Sequence, residues 1–169
     1  MQSAISEFDL YLLAEGTHYR AYEKLGAHLT GKDGKRGVQF AVWAPNAKRV
    51  SIIGDFNNWN PNAAIMSSST AGIWEGFVPD IGQGASYKYH IESRYRDYKV
   101  DKADPYGFAS EIRPETASRV WNLDNYSWHD ESWMKNRTNT NSLGSPLSFY
   151  EVHLGSWKRA LDENNRWLT

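Results

Sequence analysis

The sequence contains no cysteine, which excludes both a disulfide framework and a thiolate metal site. It has no run near the roughly 18–20 uninterrupted apolar residues that a membrane-spanning helix needs. The opening stretch, MQSAISEFDLYLLAEG, is acidic and lacks the basic n-region of a secretory leader. Charge bias is also missing. Lys plus Arg number 19 and Asp plus Glu 20, so no overall field draws the chain to nucleic acid or an anionic membrane. A cytoplasmic protein is expected, and the Asn-x-Ser/Thr triplets at Asn125 and Asn136 then read as coincidental. The five histidines show neither H-x-H nor H-E-x-x-H spacing, so no metal is expected. No G-x-S-x-G elbow, phosphate loop or dinucleotide fingerprint occurs, and no cofactor is implied.

What the chain does have is aromatic surface: eight Trp and ten Tyr among 169 residues that are otherwise hydrophilic. Indole and phenol rings give rigid amphipathic contact at little entropic cost. They suit either a packed β core or a partner with flat C–H faces and hydroxyls, such as a sugar. The stretch SIIGDFNNWNP, residues 51 to 61, poses that choice sharply. Its β-branched start reads as a strand end, and from Gly54 the turn formers make the chain bend. Trp59 then stands at a loop tip, either folded back as a lid or facing solvent as a platform. Trp43 and Trp74 fall inside strand patterns and are expected in the core. Trp128 and Trp133 are expected to pin a linker to its neighbour.

Ser6 precedes an apolar-rich segment ended by Gly16, which predicts a capped short helix. Thr17 is placed to cap a second helix, about His18 to Leu25. Then come strands at Ala27–Thr30, Val38–Trp43, Val50–Ile53, Ile73–Val78, Tyr87–Glu92, about Asp97–Val100 and near Arg119–Asn122. In VQFAVW, Val38, Phe40 and Val42 share one face; in YKYHIE, Tyr87, Tyr89 and Ile91 point inward while Lys88, His90 and Glu92 point outward. Asp101 and Asp104, in VDKADPYG, read as turn acceptors. Short strands without helices between them predict a mainly β protein, an antiparallel sandwich over residues 26–123. Residues 1–25 form a helical segment before it. A polar linker spans 124–146, and the apolar pattern resumes in LSFYEVHLGSWKR, where Leu147–Leu154 reads as a strand within 147–169.

These pieces in order, FAVWAPNAKRVSIIGDFNNWNP, GIWEGFVPDIGQGASYKYHI, KADPYGF, RPETASRVW, WHDESWM and SFYEVHLGSWKR, closely resemble bacterial 1,4-α-glucan (glycogen) branching enzymes. YLLAEGTHYRAYEKLGAH resembles the helical segment that precedes the sandwich in that family. The resemblance implies that the sandwich is an immunoglobulin-like carbohydrate-binding module of family 48. It makes SFYEVHLGSWKR the first strand of a truncated (β/α)8 catalytic barrel. Such enzymes, members of the α-amylase superfamily, make α-1,6 branches in glycogen biosynthesis by retaining transglycosylation. Their catalytic Asp and Glu lie on later barrel strands absent from this chain, so no catalytic residue is assigned here and the fragment is expected to be inactive. Its expected partners are α-1,4-glucan chains (glycogen, starch, maltooligosaccharides) and the missing barrel of the same polypeptide.

Related modules stack a glucose ring on the Trp of the FNNW loop and bond sugar hydroxyls with a Lys in YKF. These correspond to Trp59 and to Lys88 in YKY, with Asn57 and Asn58 beside the ring. The family's second Trp, in the following hairpin, is missing from ESRYRDYKVDKADP, and Trp121 follows Val120 where those modules have an Asn. Two other readings share the loop: a non-catalytic glycogen-targeting subunit, and a purely structural sandwich bracing a barrel.

Overall fold

The computed structural model describes residues 5–69, 71–140 and 144–167. Cα packing divides the chain into two units, Met1–Tyr126 and Ser127–Thr169.

The first unit opens with α1, Glu7–Glu15. Ser6 and Asp9 make a capping box: Ser6 Oγ accepts the Asp9 N–H at 3.2 Å, and Asp9 accepts the Ser6 N–H at 2.9 Å. These bonds satisfy two of the orphan donors at the helix start. Gly16, at φ 71°, supplies the left-handed stop. The second helix expected over His18–Leu25 is only a single 3-10 turn, Ala21–Glu23. Ala21 and Leu25 are buried there, but Tyr19 and Tyr22 face solvent, so too narrow an apolar stripe exists to hold a longer helix.

Two antiparallel sheets follow. One orders β1 (Gly26–Lys32), β2 (Lys35–Trp43), β5 (Ile73–Pro79) and the short β4 (Ser67–Ser68). The other orders β3 (Ala47–Gly54), β6 (Ser86–Ser93), β9 (Ser118–Arg119) and β8 (Ala109–Ser110), with β7 (Lys99–Lys102) also paired to β6. Val38, Phe40, Val42 and Trp74 from the first sheet meet Val50, Ile52, Tyr87, Tyr89 and Val120 from the second in one buried cluster. The molecule is therefore mainly β, a two-layer sandwich with few helices. A smaller cluster, Ile5, Leu25, Ala41 and Ile73, seats α1 through Leu10 and Leu13.

Trp74 lies in the core as expected, 7 % exposed, with its indole N–H donating to the Ala44 carbonyl at 3.0 Å. Trp43 does not; it is 62 % exposed. The pleat puts Trp43 on the Gln39 and Ala41 face of β2, away from the main cluster. Ala41 and Ile73 on that face are covered by the smaller cluster, whereas the Trp43 ring stands beyond it and lines an open cleft beside α1. Asp104 is more than a turn residue. It accepts the Tyr106 N–H at 2.8 Å, as a turn acceptor should, but it is buried and also receives two tyrosine hydroxyls.

In the second unit, the span read as linker contains a ten-residue helix, α2, Glu131–Thr140. Trp128 and Trp133 are 70 % and 55 % exposed, and the Arg137 guanidinium stands 6.0 Å from the Trp133 ring centroid. The strand expected over Leu147–Leu154 is not formed. Residues 147–153 carry no ladder, and a single helical turn, α3, occupies Leu154–Trp157. A strand needs a neighbour for its N–H and C=O groups, and among the described residues none pairs with this segment. The only ladder described in this unit joins β10 (Arg159–Ala160) to β11 (Arg166–Trp167).

Candidate functional site

At the end of β3 the chain turns hard. A Cβ on Gly54 would lie 2.4 Å from both the Phe56 ring and the Ser86 carbonyl, so only glycine lets the backbones approach. A 3-10 turn, Asp55–Asn57, comes next. Asn57 fastens it from within: its Oδ1 accepts the Gly54 N–H at 3.0 Å and its Nδ2 donates to the Ile52 carbonyl at 2.9 Å. Asp55 accepts the Phe56 N–H at 2.8 Å and the Ser86 N–H at 3.2 Å, tying the turn to β6. The loop closes as the Trp59 N–H donates to the Gly54 carbonyl at 2.8 Å.

Closure places Asn58 at φ 52° and Trp59 at φ 57°. Asn tolerates the left-handed region, but a bulky residue there is strained, at a cost of about 1–2 kcal/mol. The hydrogen bonds of Asp55 and Asn57 hold that strain in place. The Trp59 side chain is 40 % exposed.

Lys88 meets it from β6, in register with Ile53 on β3. Its Nζ stands 6.0 Å from the Trp59 ring centroid and donates to Thr116 Oγ1 at 2.8 Å. Beside it, Glu111 accepts the Ala117 N–H at 2.9 Å. That bond, then one from Ser86 and the charges of Lys88 and Arg119, hold the Glu111 carboxyl below the ordinary range despite some burial.

The four residues singled out in the sequence thus have different surroundings. Trp59 and Lys88 share one surface. Asn58 lies exposed at the loop corner. Asn57 spends its amide on the backbone and positions the ring. Thr116 and Glu111 join the patch without having been anticipated; both lie in or beside the RPETASRVW stretch, where nothing in spacing or pattern marks them. Among the described residues no group of three or more His, Asp or Glu is placed to hold a metal ion, and no helix is long and apolar enough to cross a membrane. A cleft of about 750 Å³ beside α1 is walled mainly by apolar side chains, among them Leu13, Leu25, Pro45 and Ile73, with Trp43, Tyr106 and Glu15 also lining it.

An aromatic ring, an ammonium and a hydroxyl thus meet beside the turn after β3 of a two-sheet sandwich. Residues 24–107 match the family described as carbohydrate-binding module 48 (Isoamylase N-terminal domain). The chain is 52 % identical over 156 residues to the 1,4-alpha-glucan branching enzyme GlgB of Trichodesmium erythraeum, covering 92 % of this chain and 20 % of that protein. It is 51 % identical over 168 residues to the same enzyme of Saccharophagus degradans, covering 99 % and 23 %. The chain therefore spans about a fifth of the length of these curated relatives. A Klebsiella pneumoniae pullulanase solved in complex with maltotriose superposes with a TM-score of 0.52 at 25 % identity, over 75 % of this chain and 12 % of that one. A putative α-amylase from Salmonella typhimurium, at TM-score 0.50, 20 % identity and 64 % and 16 % coverage, shares the fold.

Proposed function

We propose that residues 26–123 form an immunoglobulin-like module that binds and positions α-1,4-glucan chains for a 1,4-α-glucan branching enzyme of the α-amylase superfamily. One observation carries the reading: Lys88 Nζ stands 6.0 Å from the Trp59 ring centroid. A pyranose stacked on that indole would bring its hydroxyls within reach of the ammonium and of Thr116. Residues 124–146 connect the module to residues 147–169, which begin the catalytic barrel. The match to the branching enzymes favours this over a glycogen-targeting subunit, because it covers 92 % of the chain and so runs well past the sandwich.

The chain itself is not the catalyst. Retaining transfer between glucosyl units needs two carboxyl groups roughly 5–5.5 Å apart on a rigid frame. Asp104, whose carboxyl pKa burial raises, is enclosed by Tyr87, Tyr89 and Ser118 instead of facing a substrate. Titration with maltoheptaose tests the binding. Trp59→Ala and Lys88→Ala should each weaken it, the former roughly tenfold or more if ring stacking is worth about 1–3 kcal/mol. Unchanged affinity in both variants would leave the sandwich a structural brace. Incubation with amylose, followed by NMR for new α-1,6 linkages, should show none.

A further inference from the structure

Trp121 directly follows the fully buried Val120, so the pleat turns it away from the core. It is nevertheless only 43 % exposed, because it forms one wall of a cleft of about 270 Å³ that shares no lining residue with the Trp59 surface. The 3-10 turn buries Ala21 and presents Tyr22, 46 % exposed, to the same cleft. Phe108 and His28 line the cleft in an edge-to-face pair, ring centroids 5.4 Å apart. His28 Nε2 is 3.0 Å from the Leu25 carbonyl, which fixes the N–H on that nitrogen and makes Nδ1 an acceptor in the neutral ring. Glu23 and Asp124 also line the cleft; Glu23 Oε1 accepts the Arg20 Nε–H at 2.9 Å, so its charge is compensated from outside the lining.

The rim is built to hold still. Asn122 Oδ1 accepts the Asp124 N–H at 3.0 Å and its Nδ2 donates to Asn125 Oδ1 at 2.8 Å. Asn125 Nδ2 in turn donates to Gln83 Oε1 at 2.8 Å, anchoring the turn after Trp121 to the loop before β6.

From this geometry we infer a second sugar subsite, in which Trp121 and Tyr22 take pyranose faces while Glu23 and Asp124 accept hydroxyl donors. The lining selects among ligands. Aromatic faces beside carboxylate acceptors suit a neutral polyol, which supplies the hydroxyl donors that Asp124 and the free oxygen of Glu23 can accept. The volume lies just under the roughly 300–1,000 Å³ of most small-molecule clefts, which limits the occupant to one or two rings of a chain at a time. Choosing α-glucan as that chain rests on the reading of the Trp59 surface.

Maltoheptaose is titrated into the full 15N-labelled chain and into Trp59→Ala, following the indole N–H resonances. The Trp121 signal is assigned by its loss in Trp121→Ala. In Trp59→Ala the Trp121 resonance should still shift, and adding Trp121→Ala should lower the residual affinity at least tenfold. If Trp121→Ala does not fold, Asp124→Asn in the Trp59→Ala background should weaken the same shift severalfold. A Trp121 resonance unmoved at saturation, or loss of all shifts in Trp59→Ala, overturns the second subsite and leaves the first standing. No shift anywhere in the unaltered chain overturns both.

Discussion

Tyr87 donates its hydroxyl to Asp104 Oδ2 at 2.7 Å, a bond closed within the core of the sandwich. Tyr89 donates to the same oxygen at 3.0 Å, and the Asp104 N–H donates to Ser118 Oγ at 2.9 Å, so β6, β9 and the segment after β7 meet at one residue. Asp104→Ala would leave two buried hydroxyls without an acceptor. At about 1–3 kcal/mol for each orphaned group, the urea midpoint should fall steeply, whereas Tyr87→Phe should cost only about 1 kcal/mol. Burial, followed by the nearby Asp104 charge, pushes both phenols above their ordinary pKa. Their contribution is complete below the unfolded value of about 10 and is lost as pH rises toward the folded value. Stability should therefore decline above about pH 10, by up to roughly 1.4 kcal/mol per pH unit for each tyrosine. Tyr87→Phe should halve that slope in denaturant titrations.

Asp9 behaves in the opposite sense. The Ser6 hydroxyl, 2.6 Å from Oδ2, is the foremost cause holding its carboxyl far below the ordinary range; His18 at 3.0 Å and Lys24 at 3.1 Å add to it against the penalty of burial. Its stabilisation is present above the unfolded value of about 3.9 and disappears as pH falls below it. Asp9→Asn should cost about 1–3 kcal/mol at neutral pH and flatten the stability profile between pH 5 and pH 2.

The two strand tryptophans should separate in thermal melts. Trp74→Ala empties a buried site and removes the bond to Ala44, so a loss of about 3–5 kcal/mol is expected. Trp43→Ala removes a ring that is 62 % exposed, and its cost should stay below about 1 kcal/mol.

Asn57 and Trp59 should fail differently. Asn57→Ala breaks the bonds to Gly54 and Ile52, so it should lower stability by about 1–2 kcal/mol and weaken maltoheptaose through a loosened loop. Trp59→Ala should weaken the ligand while leaving the melting temperature within a degree or two. Equal destabilisation by both would make Trp59 a lid on the sheet.

Period two in YKYHIE was enough to send Tyr87 and Tyr89 inward and Lys88 outward, because each strand has one buried face. The same rule, followed one residue further along VQFAVW, puts Trp43 on the Ala41 face, away from the main cluster, where the smaller cluster covers Ala41 but not the ring; strand membership alone does not bury a ring. Other features had no local signal. The left-handed pair at Asn58 and Trp59 is imposed by loop closure on Gly54, and the meeting of Thr116 with Lys88 joins positions 28 residues apart. Asp104 was legible as a turn acceptor, but its two phenol partners come from another strand. LSFYEVHL has the composition of a strand, but composition supplies no neighbour to pair with.

The bonds that fix the Trp59 loop all lie within the protein, so its backbone is set before any ligand arrives. Binding then includes no folding of the loop. Association rate constants for short and long chains should be nearly equal, and differences in affinity between them should be written in how long each chain stays.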